Sequence, residues 1–179
     1  TLSLFPYNLQ LSADNLSFIA VYLQLASALW QSASIPGREN NQENVMLTLE
    51  VAGYTAIALT MLMIPLALNV SIRRFTLGKA RGDIASVSIG DAGDEILQRR
   101  IRAFGNLIEY APMCVILLAL LENTSAPANL LWTAAGLVVF GRLIHALGML
   151  YVQNPAPRGL GMVMTYGGML IPVWGLLQY

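Results

Sequence analysis

Charge is scarce in this chain. Asp, Glu, Lys and Arg make up 11% of its 179 residues and hydrophobic residues 56%, where an ordinary soluble domain carries about 25% charge. A water-soluble globular domain is excluded by that balance, and the zero net charge leaves no basic excess with which to grip a nucleic acid. Cysteine is almost absent: Cys114 stands alone inside an apolar run, so no internal disulfide can form and packing is its expected role. His145 is the single histidine. With no second histidine and no cysteine cluster, a metal site is not expected. No basic stretch precedes the first apolar run, so a standard signal peptide is not visible. The glycine-rich stretch GDAGDE at 90–95 has no Gly-Lys-Ser/Thr after it and is acidic, which argues against a phosphate loop.

Long apolar runs are what the chain has instead. A bilayer crossing needs about 20 mostly apolar residues. Val51 to Ile72 carries no charge, Ala103 to Leu121 only Glu109, Ala128 to Tyr151 only Arg142 and His145, and Leu160 to Tyr179 none. The runs are continuous rather than alternating, which rules out the strands of a transmembrane barrel. Helices satisfy their own backbone in lipid. The expected fold is therefore an all-α integral membrane protein with a four-helix transmembrane bundle over residues 48–179 and the lipid bilayer as its surroundings. A fifth run, Leu16 to Ile35, is uncharged but diluted by Ser17, Gln24, Ser27, Gln31, Ser32 and Ser34. It marks residues 1–47 as an N-terminal extension with an extra helical segment, and spanning, lying at the interface and docking on a partner all stay open for it.

Seven of the ten basic residues, Arg73, Arg74, Lys79, Arg81, Arg99, Arg100 and Arg102, lie in or beside the connection 73–102. The positive-inside rule places that connection in the cytoplasm, and Tyr179 outside. Its glycines, Gly78, Gly82, Gly90 and Gly93, read as loop. Asp94 or Asp91 is expected to cap the following helix, because a carboxylate accepts from free first-turn amides and suits the positive end of the helix dipole.

Ionisable residues inside membrane-like runs are expensive and point to a bundle interior with a job. Spacings of four and three place Arg102, Asn106 and Glu109 on one helix face, with Arg102 nearest the basic connection. The following helix runs the opposite way, so Arg142 and His145 climb toward the same side, and Arg142 and Glu109 are expected to meet and pair. Two readings follow. In one, these residues form a polar network that registers the helices; in the other, they are donors to an anionic, hydrophilic ligand that enters a basic cleft.

At this point the chain becomes recognisable. GDAGDEILQRRIRAFGNLIEYAPMCVILLALLE, then GRLIHALGM, then PRGLGMVMTYG resemble the MAPEG family, the membrane-associated proteins of eicosanoid and glutathione metabolism, and especially its bacterial branch. The resemblance covers residues 48 to 179. It implies a homotrimer with glutathione as co-substrate, bound by Arg102, Asn106, Glu109, Arg142 and His145, and thiolate attack on a lipophilic electrophile in a transferase or peroxidase reaction. It also implies a bacterial inner membrane location. No individual catalytic residue is assigned by the resemblance.

The resemblance has departures too. Phe104, Gly105, Met149 and Ser71 stand where well-studied relatives carry histidine, arginine, tyrosine and arginine. Those are donors that would bind carboxylate or steady a thiolate. Together with the extension 1–47, whose small and polar residues suit helix contact in lipid, they support an alternative: a non-catalytic accessory or assembly subunit of a larger membrane complex. A transporter ranks below both, since no internal repeat or broken helix pair is visible.

Overall fold

The charge-poor runs fold as four α-helices in the computed structural model, which describes Gln24, residues 49–152 and residues 154–179. They are α1 (Glu50–Arg81), α2 (Glu95–Glu122), α3 (Ala128–Tyr151) and α4 (Ala156–Gln178). All four are long and apolar enough to cross a membrane. The N-terminal segment 1–47, with the Leu16 to Ile35 run, lies outside the described residues apart from Gln24. Asn44–Tyr179 form one compact unit.

Two corrections concern the basic connection. The α1 helix does not end near Ile72; it runs nine residues further, through Arg73, Arg74, Lys79 and Arg81, and Gly78 is helical. Residues 73–81 are mostly good helix formers, and the helix ends where Gly82 supplies a left-handed backbone at φ 70°. Gly82 N–H reaches Lys79 O at 3.4 Å and Asp83 N–H reaches Gly78 O at 3.1 Å, the paired bonds that close a Schellman end. The loop proper is 82–94, and it contains a 3₁₀ turn at Ala85–Val87. Asp83 Oδ1 accepts from the amides of Ala85 and Ser86, and Val87 is fully buried. The turn lies tight on α1, since a Cβ on Gly78 would meet Ile84 Cα at 2.9 Å.

Asp94 caps α2 as expected. Its Oδ1 accepts from Leu97 N–H at 2.6 Å, and its carboxylate takes Arg73 bidentately, at 3.1 Å from Nε and 2.7 Å from Nη2. The Arg73 guanidinium, aided by the Leu97 amide, holds the Asp94 carboxyl below its ordinary value. At the opposite end of the bundle Glu122 performs the reciprocal task. Its two carboxylate oxygens accept from Val51 N–H at 2.7 Å and Ala52 N–H at 2.9 Å, so the last residue of α2 satisfies the open first turn of α1. A buried cluster of Val51, Ala52, Leu118, Leu121, Leu131, Ala134 and Ala135 surrounds that clamp.

The α3 and α4 helices approach most closely. Gly161 and Gly168 on α4 face Gly141 and Val138 on α3, and Cβ atoms there would meet Gly141 O at 2.6 Å and Val138 Cγ2 at 2.7 Å. Small residues repeating three and four apart let two backbones touch in lipid, where packing rather than water exclusion drives association. That contact fixes the height of Arg142, one residue past Gly141.

Candidate functional site

Arg142 is 1% exposed. Its Nε donates to Thr165 Oγ1 at 2.8 Å, Nη1 to Asn106 Oδ1 at 2.7 Å and to Asn106 O at 3.3 Å, and Nη2 lies 3.1 Å from Met162 Sδ. The guanidinium carbon sits 4.9 Å from the centre of the Tyr110 ring, within cation–π range. Thr165 Oγ1 in turn donates a hydrogen bond to Gly161 O. One side chain on α3 thereby joins α2 through Asn106 and α4 through Thr165 and Met162.

The expected Arg142–Glu109 pair does not form. The ion pairs among the described residues are Arg73–Asp94 and Arg99–Glu95, and Glu109 is exposed on α2. Asn106 and Glu109 stand about 60° apart around the helix axis, and the packed rotation of α2 turns Asn106 to Arg142 and Glu109 away from it. A neutral amide with a backbone carbonyl, a hydroxyl, a thioether and an aromatic face then solvates the charge.

His145 is buried one turn beyond Arg142, its backbone packed against Gly161. Arg102 is exposed at the end of α2 nearest the 82–94 loop. There it lines an open cleft of about 200 Å³ with Glu95, Gln98, Arg99, Met149, Val152 and Arg158. The five residues singled out from the sequence therefore divide: Arg102 in the cleft, Asn106 and Arg142 in the buried node, His145 behind it and Glu109 on the outer face. They do not converge on one ligand within the chain.

The cleft holds three guanidiniums against a single carboxylate. Arg99 is held by Glu95 across one helical turn, and Arg158 Nη1 lies 3.6 Å from Met149 Sδ. Among the described residues Arg102 makes no ion pair, and Arg158 stands beside a soft sulfur rather than an anion. Such a lining suits a small molecule carrying more than one carboxylate, gripped by planar fork donors. Glu95, Gln98 and Arg99 are not among the residues singled out from the sequence, because that selection follows ionisable groups inside the apolar runs; the cap at Asp94 or Asp91, with a helix beginning at Glu95, already makes these residues helical neighbours of Arg102.

Outward from the node, Tyr110 and Tyr166 pair through their hydroxyls at 3.2 Å, with ring centres 5.9 Å apart. Tyr166 is 45% exposed. The pair carries the polar network from the buried guanidinium to the bundle surface.

Four membrane-length helices, joined by a buried arginine node and opening at one end into an arginine-lined cleft, define an integral membrane bundle. Residues 52–177 match the MAPEG family, and the chain belongs to it. The Inner membrane protein YecN of Escherichia coli (strain K12) is 31% identical over 93 residues, spanning 52% of this chain and 70% of that protein. The protein of the same name from Escherichia coli O6:H1 shows the same identity and coverage. No solved structure matches the chain.

Proposed function

We propose that the protein is a glutathione-dependent transferase or peroxidase of a bacterial inner membrane, with its water-soluble thiol held in the cleft beside the 82–94 loop. The observation that carries this reading is the cleft lining, three arginines and one glutamate. Glutathione offers two carboxylates and one ammonium, so Arg102 and Arg158 suit the carboxylates and Glu95 the ammonium. A cationic surround favours thiolate over thiol. In the transferase reaction the thiolate forms a carbon–sulfur bond to a lipophilic electrophile such as an aryl halide, halide departs with its electron pair, and the thiol proton passes to solvent.

Arg142, Asn106 and His145 act in this reading from behind the cleft, holding α2, α3 and α4 in register. Glu109 serves assembly. A carboxylate exposed near the middle of an apolar helix costs several kcal/mol in lipid, which favours cover by another copy and supports the homotrimer. The positive charge gathered around loop 82–94 supports a cytoplasmic cleft, where glutathione would be at hand.

A second reading has its own observation. Arg142 already spends its donors on Asn106, Thr165 and Met162, and Met149 presents a thioether to the cleft. That is the pattern of an accessory subunit which keeps the family scaffold without its chemistry, with residues 1–47 as the attachment to a larger complex. Calorimetric titration of the detergent-solubilised protein with glutathione, alongside a conjugation assay on an aryl halide, separates the two. Saturable binding with turnover supports the enzyme; neither, at millimolar glutathione, supports the subunit.

A further inference from the structure

The loop 82–94 does not stand away from the bundle. It doubles back along α1. Arg74 Nη1 donates to Ser88 O at 2.6 Å and Nη2 to Gly90 O at 3.3 Å, Arg81 Nη2 donates to Ala92 O at 2.9 Å, and Arg73 holds Asp94. The chain that leaves α1 at Arg81 is thus returned to the level of Arg74. That level is the edge of the hydrocarbon, because the uncharged stretch from Val51 to Ile72 rises about 33 Å at 1.5 Å per residue, close to one hydrocarbon thickness.

Ile89 lies between the two carbonyls that Arg74 holds, and it is 89% exposed. Its backbone is fixed on both sides while its side chain touches almost nothing. On a water-facing loop such a residue would be a liability. Ile72 and Phe75, on either side of Arg74 in the α1 sequence, and Ile84 in the same loop are exposed as well, and Lys79 and Arg81 are exposed one to two turns beyond Phe75. Apolar tips at the hydrocarbon edge with basic residues just outside it are complementary to the acyl and headgroup layers of an anionic bilayer.

We propose that loop 82–94 is an interfacial anchor that seats Ile89 at the headgroup–acyl boundary, with Arg74 as the residue that holds it there. The same loop ends in Asp94, the cap of α2, and the first turns of α2 form one wall of the cleft through Glu95, Gln98 and Arg99. Anchoring the loop sets the height of that wall against the membrane surface. The inference stands whether or not the cleft binds glutathione.

The test is a nitroxide placed by Ile89→Cys in a Cys114→Ala background, with the full chain in vesicles of phosphatidylcholine and phosphatidylglycerol. Ser86→Cys on the 3₁₀ turn serves as the aqueous comparison. The expected result is a label at 89 that collides with oxygen more than with a water-soluble nickel chelate, and the reverse preference at 86. Adding Arg74→Gln should shift the label at 89 toward the chelate while helix content by circular dichroism is unchanged. Chelate access at 89 equal to that at 86 would overturn the insertion. Spectral broadening at 89 that disappears on dilution with unlabelled protein would put a second copy there instead of lipid. Unchanged depth in the Arg74→Gln variant would overturn the assigned role of Arg74.

Discussion

Arg142 and Arg102 are the same side chain at two depths of one bundle. Arg142 is enclosed and provided with partners from two other helices, whereas Arg102 stands at an open cleft with a ligand-sized space before it. The difference teaches that a buried arginine in a membrane bundle need not be a ligand site. A guanidinium whose donors are filled by its own chain is a fastener; one left facing a cleft is available.

Removing the fastener should have the largest effect. Arg142→Ala leaves Asn106 Oδ1 without its donor and opens a large cavity among three helices, which should cost roughly 3–5 kcal/mol of stability in detergent. Glu109→Ala, by contrast, should change stability by less than about 0.5 kcal/mol in the isolated protomer, since the carboxylate makes no ion pair there. Equal losses in thermal melts of the two variants would restore the Arg142–Glu109 pair and collapse the distinction between the regions.

Gly161→Ala tests what holds the fastener in place. A Cβ there would lie 2.6 Å from both Gly141 O and His145 N, which are backbone atoms that cannot step aside, so α3 and α4 must separate. The expected loss is about 1–3 kcal/mol. Gly159→Ala, where a Cβ would meet nothing within 4 Å, should not show it.

A smaller effect is expected at the junction of loop and cleft. The folded-state value of Asp94 is depressed by Arg73, so its contribution is present above the ordinary carboxylate range and is lost as pH falls through the depressed value. Asp94→Ala should therefore lower stability at neutral pH by about 1 kcal/mol through the lost cap, and the gap from wild type should close as the pH is lowered below about 4. A gap that stays constant down to pH 2 would show that Asp94 is not the titrating group.

Much of this was legible in the sequence. Four charge-free or nearly charge-free runs fix four helices, because a buried backbone in lipid has no other arrangement. Asp94 announced itself as a cap through its place before Glu95 and Ile96. Helical spacing put Arg102, Asn106 and Glu109 on one face, but a face is broad, and only the packed rotation of α2 chooses Asn106 over Glu109 as the partner of Arg142. Thr165 and Met162 were not legible as partners for the same reason: their roles depend on how closely the glycines let α4 approach α3. The end of α1 was misplaced because charge suggested a loop, while in the folded chain Arg73, Arg74 and Arg81 remain helical and use their side chains to bind the loop that follows.

The measurement that bears most directly on the division between fastener and cleft is a calorimetric titration of glutathione into the solubilised wild-type protein and the Arg102→Ala variant, with melting temperatures taken on the same samples. The account predicts that Arg102→Ala melts with the wild type and binds glutathione roughly 10- to 100-fold more weakly, the loss of one charge-assisted contact of about 1.5–3 kcal/mol. Saturable wild-type binding that Arg102→Ala leaves unchanged would contradict it.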